Sequence, residues 1–159
     1  MELSIIISLY NEEESLRELV TWINSAISNS AISNIDYEII MVDDGSTDGS
    51  WRVVKELSKE YPQIKGISFR TNYGKSAALQ TGFQAAAGDV IITMDADLQD
   101  SPEEIPELYR MIREEGWDIV SGWKKQRFDN KLTKNLPSKL YNATARKITG
   151  IKLHDMNCG

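Results

Sequence analysis

Apolar bursts of strand length recur along the chain, separated by stretches with helical spacing. Residues Leu3–Leu9, 37–42, 64–69, 90–94 and 118–121 are short and rich in Ile and Val, the pattern of strands covered on both faces. Between them lie segments of helical length at 13–27, 49–60, 75–87 and 102–115. In the last of these, Ile105, Leu108, Tyr109 and Ile112 recur at three- and four-residue spacing and share one face. Ser101 as N-cap, Pro102 at the first helical position and Glu104 closing a capping box mark its start. This alternation predicts an α/β fold, a mostly parallel central sheet with right-handed crossovers and helices on both faces. Later the pattern changes. Residues 122–130 are polar and cationic, 131–149 read as a more basic helix, and 151–153 read as the start of a further strand.

Composition narrows the class. The 159 residues fit one domain, and 41% hydrophobic with 26% charged residues is ordinary for a globular protein and excludes a disordered one. A net charge of −6 argues against a nucleic-acid binder, but leaves nucleotides open, because a divalent cation can sit between carboxylates and phosphates. The single cysteine, Cys158, rules out a disulfide framework and points to a reducing compartment. The N-terminus lacks the basic region of a signal peptide, and no apolar run approaches the roughly 20 residues that span a bilayer. The chain is therefore expected to be soluble by itself. It stops abruptly at Asn157-Cys158-Gly159, so a fragment of a longer protein is expected.

Open parallel sheets bind ligands beyond the carboxyl ends of their strands. Those ends carry Asn11-Glu12, Asp43-Asp44, Arg70 with Asn72, and Asp95-Ala96-Asp97. Isolated acidic residues commonly serve as caps or solvated turns, and Asp48, Asp89 and Asp118 are read that way. Four consecutive strands delivering polar groups to one edge is a stronger coincidence. Asp95 and Asp97 are spaced so that an extended backbone projects both carboxylates to one side, roughly 6–7 Å apart. Such a pair can share a hard cation, Mg²⁺ or Mn²⁺, whose shell is completed by phosphate oxygens. Gln99 could add an amide oxygen.

Other signals are weaker. Asn72-Tyr73-Gly74-Lys75-Ser76 contains Gly-Lys-Ser, but Phe69 stands where the phosphate-loop pattern needs a glycine. Gly74 is instead read as allowing close backbone approach at a helix start with Lys75 near a diphosphate, or as an ordinary turn. No Gly-x-Gly-x-x-Gly is present, so no dinucleotide cofactor is expected. His154, the sole histidine, makes no zinc site. Cys158 reads as a passive thiol, and Trp22, Trp51 and Trp117 as packing residues, with Trp123 able to face a ligand. Lys124, Lys125, Arg127, Lys131 and Lys134 form the one basic cluster. It is either a solvated loop or an anion site for a charged acceptor or lipid head group.

Taken in order, IIISLYNEEES, EIIMVDDGSTDGS, FRTNYGKSAALQTGF, GDVIITMDADLQDSPEEIPEL and LHDMNCG resemble the family 2 inverting glycosyltransferases. The resemblance covers essentially the whole chain and implies the Rossmann-like GT-A fold. Asp-Ala-Asp-Leu-Gln-Asp is similar to the polyprenyl-phosphate subgroup, which includes dolichol-phosphate mannose synthase and bactoprenol glucosyltransferases. It implies one catalytic domain over 1–159, cut short at its C-terminus, with 1–100 binding the nucleotide-sugar and 101–159 beginning the acceptor half. Tyr10, Asn11 and Glu12 would border the nucleoside, with Asn72, Gly74 and Lys75 also on the donor side, and Asp43 would hydrogen-bond the base. Asp95, Asp97 and Gln99 would hold the metal on the donor diphosphate. Lys124, Arg127, Lys134 and Ser138 would bind the acceptor phosphate, although lysines here lose the bidentate fork of the arginines often found in that subgroup. Ser8 stands where the family usually has proline.

The implied activity is metal-dependent transfer of a hexose, with inversion, from a UDP- or GDP-linked sugar to a polyprenyl phosphate. It would occur at the cytoplasmic membrane face, with anchoring segments outside this chain and no nucleic-acid partner. Asp155 is the late candidate for a base or acceptor-orienting residue. Transfer to a sugar hydroxyl in glycan synthesis and a non-catalytic nucleotide-sugar-binding module are the competing readings. A signalling receiver domain would place its acidic pair after the first strand, and a sugar nucleotidyltransferase would want a Gly-rich, arginine-containing loop where this chain has SLYNEEE.

Overall fold

The structure, a computed structural model, describes residues 1–122. The chain divides after Asp118, and every element below lies in Met1–Asp118. The helix expected at 131–149 and the strand expected at 151–153 lie outside the described residues.

Four strands, β1 (Leu3–Leu9), β2 (Tyr37–Asp43), β3 (Ile64–Ser68) and β4 (Val90–Asp95), form a parallel sheet in the order β3-β2-β1-β4. They alternate with α1 (Leu16–Ser28), α2 (Ser50–Glu60) and α3 (Lys75–Ala85), and α4 (Ile105–Glu115) follows β4. The predicted β-α alternation is present. The two side-chain faces of β1 and β2 meet different partners. Leu3, Ile5, Ile7 and Leu9 of β1 pack with Ile39 and Met41 of β2 into a core shared with α1, α2 and α4. On α1 the buried residues are Leu16, Leu19, Val20, Ile23 and Ile27, one helical stripe. Each such side chain stabilises the fold by roughly 1.5–3 kcal/mol on burial. The opposite face carries Ile40 and Val42, which meet Ala78 of α3. There α3 lies so close to β1 that a Cβ on Gly82 would run into Ile6.

Four local expectations are corrected. Only β1 and β2 are covered on both faces. In β4 buried and exposed residues alternate, Ile91 being 40% exposed, because α3 sits over β1 and β2. Residues 118–121 form no strand, and Ile119 is 85% exposed. An apolar run makes a strand only where a neighbour takes its hydrogen bonds. Ser101 forms no capping box with Glu104. Its hydroxyl donates to Glu103 Oε2 at 3.1 Å, because a 3₁₀ turn over Pro102–Glu104 delays α4 to Ile105. Trp117 does not pack. It is 56% exposed and its indole N–H donates to Glu115.

A buried carboxylate ties the sheet together at the end where β2 begins. Glu38 is 1% exposed, and its Oε1 accepts Ser4 Oγ at 2.7 Å and the Ala87 N–H at 2.8 Å. Lys65 of β3 meets Oε2 at 2.6 Å. Burial works against the charged form, but Lys65, Ser4 and Ala87 outweigh it and hold the carboxyl below its ordinary range. No helix among the described residues is long and apolar enough to cross a membrane.

Candidate active site

The strand order locates the site. From β1 the chain steps to β2 and β3, then returns across β1 to β4. Connections therefore leave β1 in opposite directions, and a crevice opens beyond the carboxyl ends of β1 and β4. A cleft of about 290 Å³ lies there. It joins Tyr10 and Glu12 after β1, Asp44 after β2, Asn72 and Gly74 before α3, Lys75 at its first position, and Asp95 and Asp97 at the end of β4. Residues more than eighty positions apart thus share one opening, and most are residues that the sequence singled out.

The loops after β1 and β2 are fastened to each other. Asn11, with φ of 58°, accepts the Thr47 N–H at 2.9 Å on its side chain and donates its own N–H to Ser46 Oγ at 2.9 Å. The Glu12 and Glu13 N–H groups go to Ser50 Oγ and Asp48. These bonds hold residues 11–13 in the loop, so that α1, expected from residue 13, begins at Leu16. Asn11 does not line the cleft; it shapes the rim on which Tyr10 stands, 45% exposed. Asp48 is a turn residue, as its isolation implied. Burial opposes its charge, but the Ser50 hydroxyl and N–H and the Glu13 N–H prevail and hold its carboxyl below the usual range.

The acidic pair after β2 splits into two jobs. Asp43 is 1% exposed and lies outside the cleft lining; its oxygens accept the Ser46 N–H at 2.9 Å and the Ser68 hydroxyl at 3.0 Å. Asp44 lines the cleft, and its two oxygens accept the Tyr73 and Gly74 N–H groups at 2.7 and 2.8 Å. It clamps the loop that begins α3. Sequence reading gave Asp44 no role of its own; its signal was adjacency to Asp43 at a strand end. Gly74 has φ of 92°, a conformation suited to glycine, and a Cβ there would meet nothing within 4 Å. The tight approach falls instead at Gly45, whose Cβ would lie 2.7 Å from the Asn72 nitrogen. Arg70 is exposed and is not part of the cleft.

Asp95 and Asp97 both face the cleft, but their surroundings differ. Asp95 carries an ion pair, with Lys75 Nζ at 2.7 Å from Oδ1 and 2.9 Å from Oδ2. Asp97 is exposed, and its Oδ1 accepts the Gln99 N–H at 3.0 Å across Leu98, whose φ is 61°. That strained residue is partly buried against the core, which anchors the turn. The turn leaves Gln99 exposed and outside the cleft lining.

These residues fit a hard divalent cation. The available donors are carboxylate oxygens, and Asp95 already holds a positive group. No cluster of three His, Cys, Asp or Glu stands ready among the described residues, so phosphate and water oxygens would complete the shell, as Mg²⁺ prefers. The start of α3 adds Lys75 and Ala78 to the same cleft beside Gly74. The Gly74 N–H is taken by Asp44 and the Ala78 N–H by the Gly74 carbonyl, so the Lys75 ammonium is the group offered to an anion. Lys124, Arg127, Lys134, Ser138 and Asp155, with Trp123, His154 and Cys158, lie outside the described residues.

Known proteins place this geometry in context. The family model described as Glycosyl transferase family 2 matches residues 4–159. An undecaprenyl-phosphate 4-deoxy-4-formamido-L-arabinose transferase of Aeromonas hydrophila is 38% identical over 156 residues, covering 98% of this chain and 46% of that protein. A dodecaprenyl-phosphate galacturonate synthase of Rhizobium johnstonii is 35% identical, covering 99% and 46%. The chain thus spans a little under half the length of these relatives. Among solved structures, the mannosyltransferase PcManGT of Pyrobaculum calidifontis, in complex with GDP-Man and Mn²⁺, superposes with a TM-score of 0.65 at 23% identity. It covers 78% of this chain and 36% of its own. S. aureus TarS 1-349 in complex with UDP-GlcNAc gives a TM-score of 0.59 at 22% identity, covering 84% and 38%. Both likenesses are of fold.

Proposed function

The chain belongs to glycosyl transferase family 2, and from that premise we propose that it carries the donor site of an inverting transferase. This enzyme passes a sugar from a nucleoside diphosphate to a polyprenyl phosphate at the cytoplasmic membrane face. The observation that carries the reading is the convergence of Asp95, Asp97 and Lys75 with the first turn of α3 in one cleft. That cleft offers carboxylates for a cation beside an ammonium for a diphosphate. The two relatives named for undecaprenyl and dodecaprenyl phosphate favour a lipid phosphate over a sugar hydroxyl as acceptor.

In this mechanism Tyr10 and Glu12 border the nucleoside, on a rim that Asn11 holds in shape. Asn72, Gly74 and Lys75 receive the diphosphate. Asp43 is assigned the hydrogen bond to the base. An ionised carboxylate has about four lone-pair sites, so acceptance from Ser46 and Ser68 leaves capacity, although the covering residues must open to expose it. Asp95, Asp97 and, after a rearrangement of its turn, Gln99 hold Mg²⁺ or Mn²⁺, which when bound supplies charge stabilisation for the departing diphosphate. An acceptor phosphate oxygen then attacks the anomeric carbon from the opposite face. The bond from that carbon to the donor phosphate oxygen breaks, the nucleoside diphosphate leaves with the electron pair, and the configuration inverts. A phosphate monoester has its second pKa near 6 and is largely ionised at neutral pH, so no strong base is required. Lys124, Arg127, Lys134 and Ser138 are proposed to hold that phosphate, and Asp155 to orient it.

The deciding experiment is calorimetric titration of the chain with UDP, GDP and their sugar conjugates, with and without Mn²⁺. Mn²⁺-dependent binding of one nucleotide is the expected result and names the base. Absence of binding by all of them would sink the donor-site reading.

A further inference from the structure

Lys75 is badly placed for helix stability. It is the first residue of α3, whose first turn holds no acidic side chain, so its charge adds to the positive end of the helix dipole instead of opposing it. What holds it there is Asp95 across the cleft, at 2.7 and 2.9 Å from the two carboxylate oxygens, with the lysine 44% and the aspartate 37% exposed. One ammonium thus covers both oxygens of one of the two carboxylates proposed to receive a divalent cation. The same ammonium sits at the helix end best placed to receive a diphosphate.

We propose that Lys75 is an internal counter-ion that occupies Asp95 until a nucleoside diphosphate draws it away, so that metal and nucleotide load together. This rests on the reading of the cleft as a donor site. Two cations cannot share Asp95 without repelling each other across a few ångströms. A metal arriving alone must therefore displace Lys75 into a position already made positive by the α3 terminus. A diphosphate arriving at that terminus gives Lys75 a new anionic partner and frees Asp95. Linkage then requires each ligand to strengthen the other by the same factor. Asp97, whose carboxylate has no cationic partner among the described residues, cannot substitute for Asp95 in this exchange.

The test measures Mn²⁺ affinity, from the free-ion electron paramagnetic resonance signal, for the wild type, Lys75→Gln and Lys75→Arg. Each is titrated with Mn²⁺ alone and with saturating UDP or GDP. Lys75→Gln is expected to bind Mn²⁺ alone about five- to tenfold more tightly than the wild type, and the enhancement by nucleotide should shrink by a similar factor. Lys75→Arg, which keeps the charge, should behave as the wild type. If nucleotide binds but Lys75→Gln leaves the affinity for Mn²⁺ alone unchanged, the counter-ion role is refuted while the donor site stands. If neither nucleotide binds the wild type under any condition, the donor reading itself falls, and the exchange with it.

Discussion

Asp97 is exposed and, among the described residues, bonds only to the Gln99 N–H within its own turn. Asp97→Asn therefore removes a charge without unpacking the core. It should abolish Mn²⁺-dependent nucleotide binding while leaving the melting temperature within about 2 °C, a shift smaller than 1 kcal/mol would produce. Undiminished Mn²⁺-dependent affinity in the variant would refute the metal assignment. Asp44 presents the opposite case, a buried carboxylate whose two oxygens hold two backbone N–H groups. Asp44→Ala leaves both amides without their partner, and should cost about 2 kcal/mol in urea unfolding. Nucleotide affinity should fall too, because the clamped loop carries Gly74 and leads into Lys75.

At the scale of elements, α3 is the single described helix on its face of the sheet, and it delivers Lys75 to the cleft. Its closeness to β1 depends on Gly82, where any Cβ would collide with Ile6. Gly82→Ala raises helix propensity by about 1 kcal/mol, yet overpacking at such a contact typically costs 1–3 kcal/mol. The expected net result is a protein destabilised by about 1 kcal/mol. Its α3 stands slightly farther from the sheet, and its nucleotide affinity is reduced. A more stable variant in denaturant titration would mean that the helix is not seated as described. The β1 and β2 loops are a second coupled pair, since Asn11, Glu12 and Glu13 all bond across to residues 46–50.

For the molecule as a whole, acid lability centres on Glu38, which joins β1, β2, β3 and the turn before β4. Its folded pKa lies below the ordinary value of 4.5. Its stabilising contribution is therefore fully present above that pH and is lost as pH falls through the depressed folded value. Chemical denaturation between pH 7 and pH 3 should show stability declining below about pH 4.5, and Glu38→Gln should flatten that slope. An equal slope in the variant would show that other carboxylates carry the effect. The proposed division of labour between donor and acceptor residues is tested at this scale too. Reversing the charge at Lys124, in the proposed acceptor half, should spare nucleotide binding and reduce transfer to a polyprenyl phosphate. Equal loss of both would refute that division of labour.

Much of this protein is written in local sequence. The β-α alternation follows from short Ile- and Val-rich runs between amphipathic stretches, and β1 begins and ends where its apolar run does. The residues that line the cleft were legible for a related reason. A parallel sheet presents all its strand ends at one edge, so polar groups just after Leu9, Asp43 and Met94 had to gather there. What the sequence could not decide depends on partners distant along the chain. An apolar run at 118–121 is no strand without a neighbour to take its hydrogen bonds. Asp43 and Asp44 are adjacent in sequence, yet one lies beneath the rim and the other clamps a loop, because successive side chains at a strand end point to opposite sides. Lys75 and Asp95, twenty residues apart, form an ion pair only because β4 returns beside β1 and faces the cleft to the start of α3. Local pattern chose the elements and the edge at which the chemistry collects; packing of one element on another chose which charges face each other.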